Sequence, residues 1–225
     1  MIVCDFEGTI YNEAKLRRDF RRIFGSFGLD FETIYRKCAK HGHFSLESLG
    51  RTNLKKSQKA KIIRACQKLL QNGSIYIFDD VKGFLQKHSG EISILTYGSS
   101  EFQKEKILGS GIAKYIKQVE ITQLHKRESK DLLSKASTYI DNDPAVVKEI
   151  AQLYGKIKLY LIDRDGKFNA ISGGFTPTPL QKVASSRKVT SEKVWGFTKI
   201  KNLAEVDNGK SRGIKTKKQK NRSKI

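Results

Sequence analysis

The chain reaches residues able to do chemistry almost at once. In IVCDFEGTI, residues 2–10, a short apolar run ends in Asp5, and Glu7, Gly8 and Thr9 follow. Further along, ISILTYGSS carries an apolar run to Thr96 and Tyr97, and TYIDNDPAVV carries another to Asp141, Asn142 and Asp143. Lys126, in LHKRESKDLL, stands ahead of a helical pattern. Carboxylates, a hydroxyl and an ammonium are the inventory for phosphoryl transfer through an aspartyl-phosphate. One carboxylate attacks phosphorus and a second handles the proton, while hydroxyl and ammonium hold the phosphoryl oxygens. Mg²⁺, bound through oxygen ligands, clamps the group. Each piece also has an ordinary use. Asp, Glu and Gly after a strand make a turn, and Asp143 before Pro144 makes a helix N-cap. A lysine among 44 Lys and Arg is by default a solvated charge. What joins the pieces is their position.

That position is set by the elements around them. Apolar runs at 2–4, 92–95, 119–121, 138–140 and 157–162 are short and mostly β-branched or aromatic, as buried parallel strands are. Helical patterns at 100–108, 127–135 and 144–154 separate the later ones, which predicts βαβ units and a parallel, Rossmann-like α/β sheet. Sites in such sheets lie beyond the carboxyl ends of the strands, where Asp5, Thr96 and Asp141 all fall.

The interval after the first strand is different, being almost wholly helical in pattern and rich in Lys and Arg. AKLRRDFRRIFGSFG puts Leu16, Phe20, Ile23 and Phe27 on one face. SQKAKIIRACQKLLQNG repeats the pattern with Ile62, Ile63, Cys66, Leu69 and Leu70 and stops at Asn72-Gly73. SLESL, at 45–49, offers a helix start. The expected organisation is a core of residues 1–12 and 86–167, an inserted α-helical cap at 13–85, an irregular C-terminal extension at 168–207 and a basic, disordered tail at 208–225.

The formal net charge is +21. The tail holds eight Lys or Arg and no acid, so the excess belongs to body and tail alike. Such a balance attracts anionic partners, whether phosphorylated metabolites, nucleic acid or an acidic membrane. Cys4, Cys38 and Cys66 have no paired spacing, which argues for a reducing compartment rather than a disulfide framework, and Cys4, inside an apolar run, reads as a small core residue. His41, His43, His88 and His125 show no metal-binding spacing and read as surface or structural groups. No run approaches the ~18 apolar residues of a membrane span, and the first apolar run is too short for a signal peptide. The expected location is cytoplasmic.

Over residues 1–167 the sequence resembles the haloacid dehalogenase (HAD) superfamily. IVCDFEGT matches the family's strand followed by Asp-x-Asp-x-Thr, ISILTYG its strand ending in Thr or Ser, and STYIDND its strand ending in acids. A helical cap between the first two motifs is a family habit. The stretches EFQKEKILGSGIAKYIKQVEIT and IKLYLIDRDGK also look like HAD hydrolases. The resemblance implies that Asp5 is the nucleophile and a metal ligand, and that Glu7 is the general acid/base with its backbone carbonyl on the metal. It implies that Thr96 and the Tyr97 backbone hold the phosphate, and that Asp141, with Asn142 or Asp143, binds Mg²⁺. The family has Asp where this chain has Glu7, one C–C bond longer, about 1.5 Å. Its lysine has little local signature. Lys126, fifteen residues before Asp141, is the preferred choice, with Lys130 expected on the same helical face and Lys104 and Lys106 weaker.

The reading is a Mg²⁺-dependent HAD-like phosphatase acting on a small phosphorylated substrate. One rival is a weakly catalytic HAD-like protein that binds nucleic acid or another polyanion through its basic surface and tail. Another is attack on carbon, as in the dehalogenases; the second carboxylate and the late acidic motif argue against it.

Overall fold

The computed structural model describes residues 1–39, 43–164 and 197–206. Six strands form one parallel sheet: β1 Ile2–Cys4, β2 Ile92–Tyr97, β3 Ile116–Thr122, β4 Thr138–Asp141, β5 Lys158–Ile162 and β6 Thr198–Ile200. Their order is β3-β2-β1-β4-β5-β6. The chain builds away from β1 in one direction and then returns to extend the other side, so the loops after β1, β2 and β4 open on one crevice. The α/β, Rossmann-like expectation holds.

Two strands differ from the sequence reading. β3 is longer than 119–121 and largely exposed, with Lys117, Gln118 and Val119 facing out, because it closes one edge of the sheet. β6 lies inside the extension expected to be irregular. It pairs with β5 from Tyr160↔Thr198 to Ile162↔Ile200, and with only Ile200 of its three residues buried it makes no apolar run. Leu203 behind it is buried, and Tyr160 OH donates to the Val206 carbonyl at 2.8 Å. Residues 168–196, the basic tail and His41 lie outside the described residues.

Between β1 and β2 come α1 Glu13–Ser26, α2 Phe31–Ala39, α3 Lys56–Gln71 and α4 Val81–Lys87. Asn12 caps α1 by accepting from the Lys15 amide at 2.9 Å. The buried stripe of α1 is Leu16, Phe20 and Phe24, one turn apart each time, with Ile23 and Phe27 on its margin. SLESL forms a 3₁₀ turn, Glu47–Arg51, rather than opening an α-helix. α5 Ser100–Gly109, α6 Lys130–Leu133 and α7 Pro144–Leu153 follow the later strands.

The sheet has a core on each face. Val3, Leu95 and Tyr139 pack with Leu133 of α6 and with Val147 and Ile150 of α7. On the other face, Cys4, Ile92 and Ile94 join Phe20, Phe24, Phe31, Ile62 and Leu70 in one apolar cluster, so the inserted helices share their core with the sheet. Backbone meets backbone where α3 ends on α5: a Cβ on Gly109 would lie 1.7 Å from the Leu70 carbonyl oxygen. Among the described residues no helix is long and apolar enough to cross a membrane.

Candidate active site

Asp5 is the first residue past β1, and its amide donates to the Ile140 carbonyl at 2.8 Å, fixing it beside the end of β4. Lys126 lies in the 3₁₀ turn Lys126–Glu128 that follows β3. Its Nζ donates to Asp5 Oδ1 at 2.6 Å and to Asp141 Oδ2 at 2.8 Å. Asp141 ends β4 fully buried, and Tyr139 OH donates to the same Oδ2 at 2.6 Å while the Asp143 amide donates to Oδ1 at 2.8 Å. Both Asp141 oxygens are therefore engaged in holding Lys126 and the turn.

Charge in this cluster is balanced against burial. Burial raises the Asp5 carboxyl to about 7; Lys126 pulls it down while Asp141 and Glu7 push it up. Burial alone would lower the Lys126 ammonium, but the charges of Asp141 and Asp5 outweigh it and hold it above the ordinary lysine range. Lys130, expected on the same helical face, opens a separate helix after Ser129 and is exposed. The break at Ser129 is what parts the two lysines.

Glu7 is held on the other side. Gly8 turns the chain with φ of 79°, and a Cβ there would come within 2.4 Å of the Asn142 amide. The Glu7 carboxylate forms an ion pair with Lys106, and its Oε2 accepts from Gln103 Nε2 at 3.0 Å. The same Gln103 nitrogen donates to the Tyr97 carbonyl at 2.9 Å. Lys106 is wholly enclosed, with its Nζ 4.6 Å from the centre of the Phe102 ring. Gln103 did not figure in the sequence reading, and Lys106 figured only as a weak phosphate-binding lysine. The sequence of α5 does not mark them: both share with Ile107 a buried face that only the docked helix reveals, and a lysine enclosed there needs a partner.

Thr96 is buried near the end of β2, the strand beside β1. Tyr97 is half-buried, and its ring meets the edge of His43 at 4.5 Å. That contact brings a residue of the inserted segment to the rim of the crevice. Burial lowers the His43 imidazole below its ordinary range. Arg164, just past β5, braces the loop after β1 by donating to the Thr9 carbonyl at 2.6 Å and pairing with Asp80 at 2.6 Å. Asp143 caps α7, accepting from the Ala145 amide at 2.8 Å and the Val146 amide at 3.4 Å.

Among the described residues no group of three His, Cys, Asp and Glu side chains is placed to hold a metal ion. The donors that do converge are of mixed type. The Asn142 amide points one end at Asp5 Oδ2, 3.1 Å away, and at the Glu7 carbonyl oxygen, 2.9 Å away. Presented as Nδ2, it donates to both; presented as Oδ1, it completes a group of three oxygens. Neighbouring oxygens on an octahedron with Mg²⁺–O bonds of 2.0–2.1 Å lie about 3 Å apart. The spacing and the all-oxygen chemistry fit Mg²⁺, with a single carboxylate among the three donors.

No family model matches the sequence, and no curated protein matches it. Solved structures do match. A haloacid dehalogenase-like hydrolase of Burkholderia xenovorans superposes with a TM-score of 0.59 at 16% identity, over 91% of this chain and 93% of that one. YfnB, a HAD-hydrolase of Bacillus subtilis solved bound to magnesium, gives 0.55 at 12% identity, over 91% and 95%. The L-2-haloacid dehalogenase of Xanthobacter autotrophicus gives 0.54 at 11% identity over the same shares. Each likeness runs over 91% of this chain: the chain has the fold of the haloacid dehalogenase-like hydrolases.

Proposed function

We propose that this chain is a hydrolase of the HAD superfamily that cleaves phosphomonoesters through an aspartyl-phosphate on Asp5. The observation that carries the reading is Lys126, whose Nζ bridges Asp5 and Asp141 at 2.6 and 2.8 Å. A second carboxylate, Glu7, stands two residues from Asp5. Attack by an Asp5 oxygen forms the O–P bond as the ester P–O bond breaks. Glu7, held in place by Lys106 and Gln103, delivers in its protonated form the proton that the leaving oxygen needs. It then accepts one from the water that hydrolyses the intermediate. Thr96, the Tyr97 backbone and Lys126 hold the phosphoryl oxygens. Asp5, the Glu7 carbonyl and Asn142 are the residues that would hold Mg²⁺, which when bound neutralises charge on the phosphoryl group. The inserted helices supply substrate choice, and His43 is the residue of theirs that reaches the rim.

Glu7 favours phosphorus over carbon, since displacement of halide from carbon by a carboxylate has no leaving oxygen to protonate. The test is hydrolysis of p-nitrophenyl phosphate with and without Mg²⁺, beside halide release from 2-chloropropionate. Metal-dependent phosphate release that is lost in Asp5→Asn is expected. Halide release without metal would reverse the choice, and neither activity would leave the fold without this chemistry.

A further inference from the structure

The excess positive charge of this chain is not spread evenly over ion pairs. Three of the four α1 arginines are matched: Arg17 pairs with Glu13 at 3.5 Å and Glu32 at 2.7 Å, Arg21 with Glu32 at 2.7 Å, and Arg22 with Asp19 at 3.0 Å. α3 is different. Its sequence, KSQKAKIIRACQKLLQ, contains no Asp or Glu. Lys56, Lys61, Arg64 and Lys68 are exposed, and among the described residues none of the four is within ion-pair distance of a carboxylate. Lys61, Arg64 and Lys68 are three and four residues apart, which sets like charges side by side on one face. Lys55 and Lys56 stand at the helix N-terminus, where the helix dipole disfavours cations. The fold thus keeps a repulsive face that a single acid would relieve.

We infer that the outer face of α3 is a docking surface for a nucleic-acid duplex, bound through its phosphates. Sixteen residues of helix present this face over about 24 Å, roughly seven steps of duplex rise. A membrane surface fits less well. Helices that lie on bilayers insert an apolar face, whereas Ile62, Cys66 and Leu70 of α3 are committed to the core and the outward side carries Ser57, Lys61, Arg64, Lys68 and Gln71. A single strand also fits less well, because among the described residues no aromatic ring is one of the exposed large hydrophobics that could stack on bases. This surface shares no residue with the cluster at Asp5 and does not depend on the reading of the catalytic site.

The test is fluorescence anisotropy of labelled 20-bp DNA and RNA duplexes with the full chain across a salt series. Lys61→Gln/Arg64→Gln/Lys68→Gln is the interface variant, and Lys217→Gln/Lys218→Gln/Lys220→Gln is the tail control. Asp5→Asn is expected to bind as wild type does. The interface variant is expected to bind at least roughly ten-fold more weakly and to flatten the slope of log K against log salt by about 3. Arg64→Gln alone keeps the test if the triple variant melts early. The DNA and RNA arms identify which duplex is preferred. The inference is overturned by no duplex binding at 50 mM salt, by a loss confined to the tail variant, by tighter binding of a single strand, or by binding only to phosphatidylserine vesicles.

Discussion

Lys106, with its ammonium fully enclosed in α5, is the ion-pair partner of Glu7, although the two are 99 positions apart in the chain. The longer carboxylate that separates this sequence from the Asp-x-Asp pattern is the one that reaches α5. The pair makes a direct prediction. Lys106→Met leaves Glu7 without its cation and is expected to destabilise by about 2–3 kcal/mol. That is less than for a fully buried pair, because the Glu7 side chain keeps some contact with water. Adding Glu7→Gln should recover at least half of the loss in urea denaturation. Strictly additive losses would mean that the two side chains act independently.

Lys126 stands between two buried carboxylates, so removing it is more costly. Lys126→Met is expected to lose about 3–5 kcal/mol of stability and to abolish phosphate release. The Asp5 carboxyl, already raised to about 7 by burial, loses the one neighbour that lowers it and becomes protonated at neutral pH. Denaturant midpoints and initial rates, measured on the same preparations, check both parts.

Asp143 separates capping from chemistry. Its side chain accepts from two amides at the start of α7. Asp143→Ala should therefore cost about 1 kcal/mol and leave kcat within about two-fold, while Asp143→Asn retains the cap. A loss of activity without loss of stability in Asp143→Ala would move this carboxylate into the site.

Gly109→Ala tests the seam between α3 and α5. With its Cβ 1.7 Å from Leu70 O, the backbone has to part. The expected cost is about 2 kcal/mol or more, or a fall of about 5 °C in Tm for a chain of this size. Gly28→Ala, at φ of 70° with open space around it, should cost only about 1 kcal/mol.

The three cysteines are buried, and burial pushes the Cys66 thiol up to about 12 and Cys4 further still. Titration with a thiol reagent at pH 8 should find no fast-reacting group in the native chain and three in guanidinium. A rapid native reaction would place one of them at an accessible surface.

Much of this molecule can be read directly from the order of its residues. Runs of β-branched residues with helical stretches between them determine a parallel sheet, because the period of apolar residues reports which side faces a core. Asp5, Thr96 and Asp141 are legible as a set for the same reason: each follows an apolar run, and parallel strands aim their carboxyl ends one way. β6 and the parting of Lys126 from Lys130 are not legible, since Thr198-Lys199-Ile200 is no apolar run and a break at one serine has no strong sequence mark. The partner of Glu7 is decided only by tertiary structure. Pairing Lys106 with Glu7, and Lys126 with both Asp5 and Asp141, depends on where α5 and the turn after β3 dock. Nothing in the local sequence tells a buried lysine from a solvated one until the groups that neutralise it are brought within a few ångströms.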